Sequence, residues 1–194
     1  MKPIQTLLED TNATFDLAAL LPFHRAILTH IVTGDNCGND SSLVSLDFTE
    51  YSGVESISIG NHCFSYVKTV TIAGLAKLKS VMIGKKCFMD EQSLDGRFQL
   101  KNCSSMGELR VGERSFMFFS ACEIEDNPSM TLIEMEKMDN PSYSFWNGSL
   151  ELKSVVVHND LGLDMASLKS LECGESGFQG CSSVVLESGF SSLE

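Results

Sequence analysis

Cys63 and Cys87 stand 24 residues apart, each directly before a phenylalanine, and are the side chains best spaced for thiol chemistry. If 24 residues make one structural repeat, the two fall in one column on coils about 4.8 Å apart, within reach of a disulfide. The column continues as Ser115, Ser144 and Gly177. A small buried position filled by Cys, Ser or Gly therefore accounts for the pair without redox or metal chemistry. No CxxC occurs, and His62 beside Cys63 has no second ligand pair at metal spacing. The cysteines number seven, an odd count, and the opening MKPIQTLLEDTNATF breaks any signal-peptide core with Glu9 and Asp10. Reduced thiols in a cytoplasmic protein are the expectation.

Other reactive groupings resolve the same way. GDNCGND at 34–40 is rich in oxygen ligands like a calcium loop but lacks the acidic residue at its twelfth position, and reads as a helix-exit turn. Glu123, Glu125, Asp126, Glu134, Glu136 and Asp139 suggest the paired carboxylates of a β-helix carbohydrate enzyme. Glu123 and Glu134, however, are placed on different strands of a coil and should face opposite sides, which leaves a solvated acidic edge. No GxSxG elbow frames a serine nucleophile, and the glycines occur singly rather than in a phosphate-binding loop. No catalytic residue, cofactor or metal ligand is assigned.

Stepping from these residues to the elements that carry them, the organising fact is a repeat. VESISIGNHCF at 54–64, LKSVMIGKKCF at 78–88, MGELRVGERSF at 106–116 and LKSLECGESGF at 168–178 share an apolar pair, a glycine and a closing phenylalanine or its equivalent order. A second alternating stretch follows each: Val70 and Ile72, Cys122 and Ile124, Val184 and Leu186, with Phe98 and Leu100 displaced by an insertion such as SLDG at 93–96. Each unit is thus a strand B, a turn closing on a buried phenylalanine, and a strand A. One coil cannot bury its apolar face alone, so coils must stack.

The expected fold is mainly β: a leucine-rich-repeat solenoid of about 24-residue two-strand coils over 43–194, with a short α-helical N-terminal cap at 1–42. In the cap, Pro22 opens a helix whose stripe is Phe23, Ile27, Leu28 and Ile31, ending at Gly34. SLVSLDF at 42–48 joins cap to array. Residues 130–168 form an irregular coil in which Ser144 and Phe145 keep the turn about five residues late. The chain stops partway into a strand B, as a truncated array would.

The recurring Ile-Gly-x-x-Cys/Ser-Phe turn resembles the BspA-like, Treponema-type leucine-rich repeats over roughly residues 43–193. The resemblance rests on Gly60, Gly84, Gly112 and Gly174 and on Phe64, Phe88, Phe116 and Phe178. It implies a solenoid that acts by binding protein, as surface adhesin, receptor or intracellular scaffold.

Charge and alternation narrow the partner. A formal charge of −12 repels phosphate backbones and argues against nucleic acid, and no apolar run is long enough to cross a membrane. Strand B is expected to show Ser58, Met82, Arg110, Glu134 and Val156 outward, and strand A Thr71, Gln99, Glu123, Glu151 and Val185. Columns mixing apolar and charged types suit protein recognition. The candidate protein-binding residues are therefore Ser58, Met82, Arg110, Glu134 and Val156, with Trp146 in a protruding 137–149 loop. A surface adhesin or antigen fragment is the alternative, and glycans at the sequons of Asn12, Asn39, Asn102 and Asn147 would favour it. A β-helix carbohydrate enzyme is a third reading. End-to-end self-association through exposed strand edges is a further expectation.

Overall fold

A computed structural model describes residues 4–8, 27–90, 95–135, 145, 149–153, 170–172 and 183–187. Within them lie β1 (Ile4–Leu8), β2 (Leu28–Thr33), β3 (Ser45–Asp47), β4 (Ser56–Ile59), β5 (Thr69–Ala73), β6 (Ser80–Ile83) and β7 (Gly96–Lys101). These are followed by β8 (Glu108–Val111), β9 (Phe119–Glu125), β10 (Leu132–Met135), β11 (Ser149–Lys153), β12 (Ser170–Glu172) and β13 (Ser183–Glu187). All pairings are parallel. One sheet runs β1-β2-β4-β6-β8-β10-β12, the other β13-β11-β9-β7-β5-β3. From β2 onward successive strands alternate between the sheets, so the chain winds as a β-solenoid of about 24-residue coils.

The alternation seen in the sequence is the cause. Along β4, β6, β8 and β10 every second residue is buried, Ile57 and Ile59, Val81 and Ile83, Leu109 and Val111, Ile133 and Met135. From the other sheet come Val70 and Ile72, Phe98 and Leu100, Cys122 and Ile124. The two apolar faces meet between the sheets and make one continuous core.

Three ladders run along the stack at the turns. In the first, Phe64, Phe88, Phe116 and Phe145 are all fully buried. Their rings stack at centroid separations of 5.5, 4.6 and 5.1 Å. Each holds a left-handed backbone, φ 53–58°, a conformation costing a bulky residue about 1–2 kcal/mol, which the ring's burial offsets. Phe64, Phe88 and Phe116 donate their N–H groups to Cys37, Cys63 and Cys87 of the preceding coil; Phe145 donates to Phe116 itself, one residue out of step. The late turn expected at Phe145 therefore rejoins the ladder. Ser144 lies outside the described residues.

The second ladder is the small-residue column. Ser115 Oγ donates to Gly84 O at 2.7 Å and accepts the Cys87 N–H at 2.9 Å. Cys87 and Cys63 repeat the contact to Gly60 O and Gly34 O at 3.0 and 3.1 Å. The described cysteines are free thiols.

At the opposite turn a third ladder passes through Cys103 and Asn127. Asn127 is fully buried, its Oδ1 accepts the Cys103 N–H at 3.1 Å and its amide donates to Leu100 O and Glu125 O. Asn127→Ala strands one buried donor and removes a bond from two carbonyls. An expected loss of about 2–3 kcal/mol follows, measurable by urea denaturation; a loss below about 0.5 kcal/mol would mean that those groups find other partners.

The N-terminal region corrects two expectations. Leu28 and Ile31 belong to strand β2, not to a helix. Between β1 and β2 the register shifts: Ile4 pairs with Leu28 and Gln5 with His30, leaving Thr29 as an extra residue. That bulge puts the buried residues Leu28 and Ile31 three apart, a spacing that imitates a helical stripe. The remainder of the expected cap, 1–3 and 9–26 with Pro22 and Phe23, lies outside the described residues. Nor is GDNCGND a helix exit. It is the turn of an earlier coil, with Asn36 and Gly38 at the positive φ of His62 and Phe64 and Asn36 N–H bonded to Asn61 O. Gly38 takes the phenylalanine position because the Phe64 ring occupies the space a side chain would need. The expected four-residue insertion is seen in the register: Val70 pairs with Phe98, 28 residues on, where Leu46 pairs with Val70 and Phe98 with Cys122 at 24; Gly96 of SLDG already opens β7, its backbone packed on Phe119.

Candidate interaction face

The seven-stranded sheet turns one face to the core and one outward. Because neighbouring coils pair in register, its outward residues form rows. One row reads Val32, Ser58, Met82, Arg110, Glu134, with Glu172 next in register. A parallel row reads His30, Ser56, Ser80, Glu108, Leu132, with Ser170 next in register. Four of the expected residues, Ser58, Met82, Arg110 and Glu134, are thus brought into one line. Val156 is not the next member: β10 pairs directly with β12, so Glu172 takes that register position. Val156 and Trp146 lie outside the described residues.

Met82 is the centre of the face. It is 50% exposed, an extreme for a large apolar residue on a paired central strand, and its neighbours Ser58 and Ser80 are short hydroxyl side chains. On one side His30 Nδ1 and Ser56 Oγ are hydrogen-bonded at 2.7 Å. On the other, the Arg110 guanidinium bridges Glu134 and, at 3.4 Å, Glu108. Such exposed pairs contribute about 0–1 kcal/mol to stability. The face is therefore a shallow apolar and hydroxyl patch bordered by an ion triad. Reading the sequence alone missed the row His30, Ser56, Ser80, Leu132. Its signal was available in the first residue of each SxSxG-like strand, but the bulge in β2 concealed the first member.

The six-stranded sheet differs. The expected row Thr71, Gln99, Glu123, Glu151, Val185 is in register, with Asp47 ahead of it. Its centre is closed by its own charges. Glu123 takes Arg97 at 2.6 Å, Lys101 at 2.8 Å and Gln99 at 2.9 Å, and Lys101 also reaches Glu125 at 3.0 Å. Partial burial alone would raise the Glu123 pKa. The hydrogen bonds from Lys101 and Gln99 and the charges of Lys101 and Arg97 outweigh it and hold the carboxyl below the ordinary glutamate range. A carboxyl held ionised in this way is the reverse of a general acid, which needs a raised pKa. Glu134 sits on the other sheet, so these two carboxylates do not flank a common groove.

Among the described residues, no group of three or more His, Cys, Asp or Glu side chains is arranged to hold a metal ion, and no helix is long and apolar enough to cross a membrane. The stacked parallel coils and in-register turn ladders define the class: a β-solenoid. Compared with protein-family models, curated proteins and solved structures, the chain finds no match.

Proposed function

We propose that the protein is a non-catalytic protein-binding module of leucine-rich-repeat type, akin to the BspA-like repeats, and that it engages its partner through the outward face of the seven-stranded sheet. The observation that carries this reading is Met82, half-exposed in the middle of a rigid in-register face. Interface cores favour such an apolar anchor inside a polar rim, and Arg110 beside it is a residue type enriched at binding hot spots. The opposite sheet, neutralised by its own ion network, offers no comparable anchor among its described residues.

A photo-crosslinking amino acid placed at position 82, with a second version at position 71 on the other sheet, tests the assignment. Position 82 is expected to capture a discrete protein that excess wild-type chain competes away and Met82→Glu chain does not, with affinity lowered at least about tenfold. Equal capture from both positions, or competition by the Met82→Glu chain, would remove the face from consideration.

A surface adhesin is the second reading, and one observation favours it. Asn102 of the sequon Asn-Cys-Ser is exposed at a tight turn. Asn39, by contrast, has its amide committed to His62 O at 2.8 Å and its Oδ1 to Ser65.

A further inference from the structure

Cys37, Cys63 and Cys87 are buried on successive coils in one turn column, and neither the packing of the sheets nor the interaction face uses their chemistry. Ser115 shows what the position requires, since its hydroxyl both donates to a glycine carbonyl and accepts the N–H of the coil before it. The thiols make the same contacts with a weaker donor and acceptor: Cys63 Sγ accepts the Cys37 N–H at 3.3 Å, and Cys63 and Cys87 donate to Gly34 O and Gly60 O. A serine meets the hydrogen-bonding demand better, so that demand does not explain consecutive thiols. Cys87 sits above Cys63, each four residues past the paired Ile59 and Ile83, and its Sγ reaches back to Gly60 O of the Cys63 coil at 3.0 Å. Adjacent coils place column neighbours about 4.8 Å apart, inside the Cα window a disulfide needs. Cys37 is placed differently, because its contact to Cys63 runs through its backbone N–H while its thiol points to Asp35 O at 3.7 Å.

We propose that Cys63 and Cys87 form a dithiol site that closes to an intercoil disulfide on reaction with a low-molecular-weight disulfide such as oxidised glutathione. The Cys63 thiolate attacks one sulfur of the small disulfide, forming a mixed disulfide and expelling one small thiolate, which takes up a proton. Cys87 then loses its proton and attacks the Cys63 sulfur, expelling the second small thiol. Two protein thiols are oxidised by two electrons, and one small disulfide is reduced to two thiols.

The order follows from the pair. The Cys87 side chain beside it holds the Cys63 thiol down to about 7, which makes it the attacking group. The Cys63 side chain, and then burial, push Cys87 up. The first of these causes vanishes once Cys63 is capped, which frees Cys87 to resolve the mixed disulfide. Both side chains are fully buried, so the reaction waits on local opening of this turn.

The test is to incubate the folded chain with oxidised glutathione at neutral pH, alkylate the remaining thiols and map the digest without reduction. A linked peptide pair carrying Cys63 and Cys87 is expected, reversible by dithiothreitol, with the melting temperature raised by about 5–10 °C. Cys63→Ser and Cys87→Ser should stay folded, as Ser115 does in the same column, and lose the link; Cys37→Ser should keep it. A Cys37–Cys63 link, a glutathione adduct without closure, or a link formed only in urea would each overturn the proposal.

Discussion

Phe116→Ala is expected to lower the stability of the protein by about 4 kcal/mol, the upper part of the range for deleting a buried ring. The ring has no exposure and touches four others: it stacks on Phe88 and Phe145, tilts against Phe98 and meets Phe119 edge-on at 4.9 Å. Truncation therefore loses the transfer energy of one ring, leaves a cavity between stacked coils that cannot collapse independently, and removes ring pairs worth about 0.5–1.5 kcal/mol each. Alanine gives no relief of the backbone, because φ 58° is unfavourable for any residue with a Cβ. Phe64→Ala is the internal control. The described rings around Phe64 include one stacked partner, Phe88 at 5.5 Å, so its loss should be smaller by about 1 kcal/mol or more. Urea denaturation of the two variants decides the point. Equal losses would mean that the ladder acts as separate buried rings rather than as a stack.

The ladder also shows why so much of the fold was legible. A solenoid writes each contact once per coil, so Gly60, Gly84 and Gly112 and the three phenylalanines that follow them reveal both the strand ends and the register between coils. The outward row Ser58, Met82, Arg110, Glu134 followed from alternation alone, since parallel in-register pairing converts equal repeat positions into neighbours. What escaped detection lies where a local event breaks the period. The coil at 28–38 keeps its glycine, Gly34, beneath Gly60, but has a bulge at Thr29 and Gly38 in place of the phenylalanine. With the alternation broken and the phenylalanine missing, Leu28 and Ile31 imitate a helix. In the irregular coil, the stretch around Val156 carries strand-like alternation with neither Gly nor Phe, and only the β10–β12 pairing shows that Glu172 is the residue beside Glu134. Paired charges such as Arg97 with Glu123 had no sequence signal beyond their opposite signs on adjacent coils.

The largest effect from the smallest change is expected at Gly84. Its φ is not in the left-handed region, so conformational freedom is not what glycine supplies there. It supplies room. A Cβ on Gly84 would sit 2.7 Å from both the carbonyl carbon and oxygen of Gly60 and 2.9 Å from Asn61 N. These are backbone atoms of the preceding coil, and they cannot swing aside as a side-chain tip could. Gly112 meets Gly84 in the same way at 2.6 Å, so the glycines form a column through which coils approach more closely than any other residue permits. Gly84→Ala must push two coils apart where the Gly84 N–H bonds to Ile59 O at 2.8 Å and where Cys87 Sγ reaches Gly60 O. The expected loss is about 3 kcal/mol or more, the severe end of overpacking. Gly74→Ala separates the causes. Gly74 has φ +70° and nothing within 4 Å of a built Cβ, so it should lose only the backbone strain, about 1 kcal/mol. If the two substitutions cost the same in urea, close approach is not the reason for glycine at 84. If Gly84→Ala is the worse, hydrogen exchange should show its own amide and those of β6 opening first. Met82 lies on that strand, two residues away. A chain that still folds with this substitution should therefore bind the partner of the Met82 face more weakly, although no residue of the face has been altered.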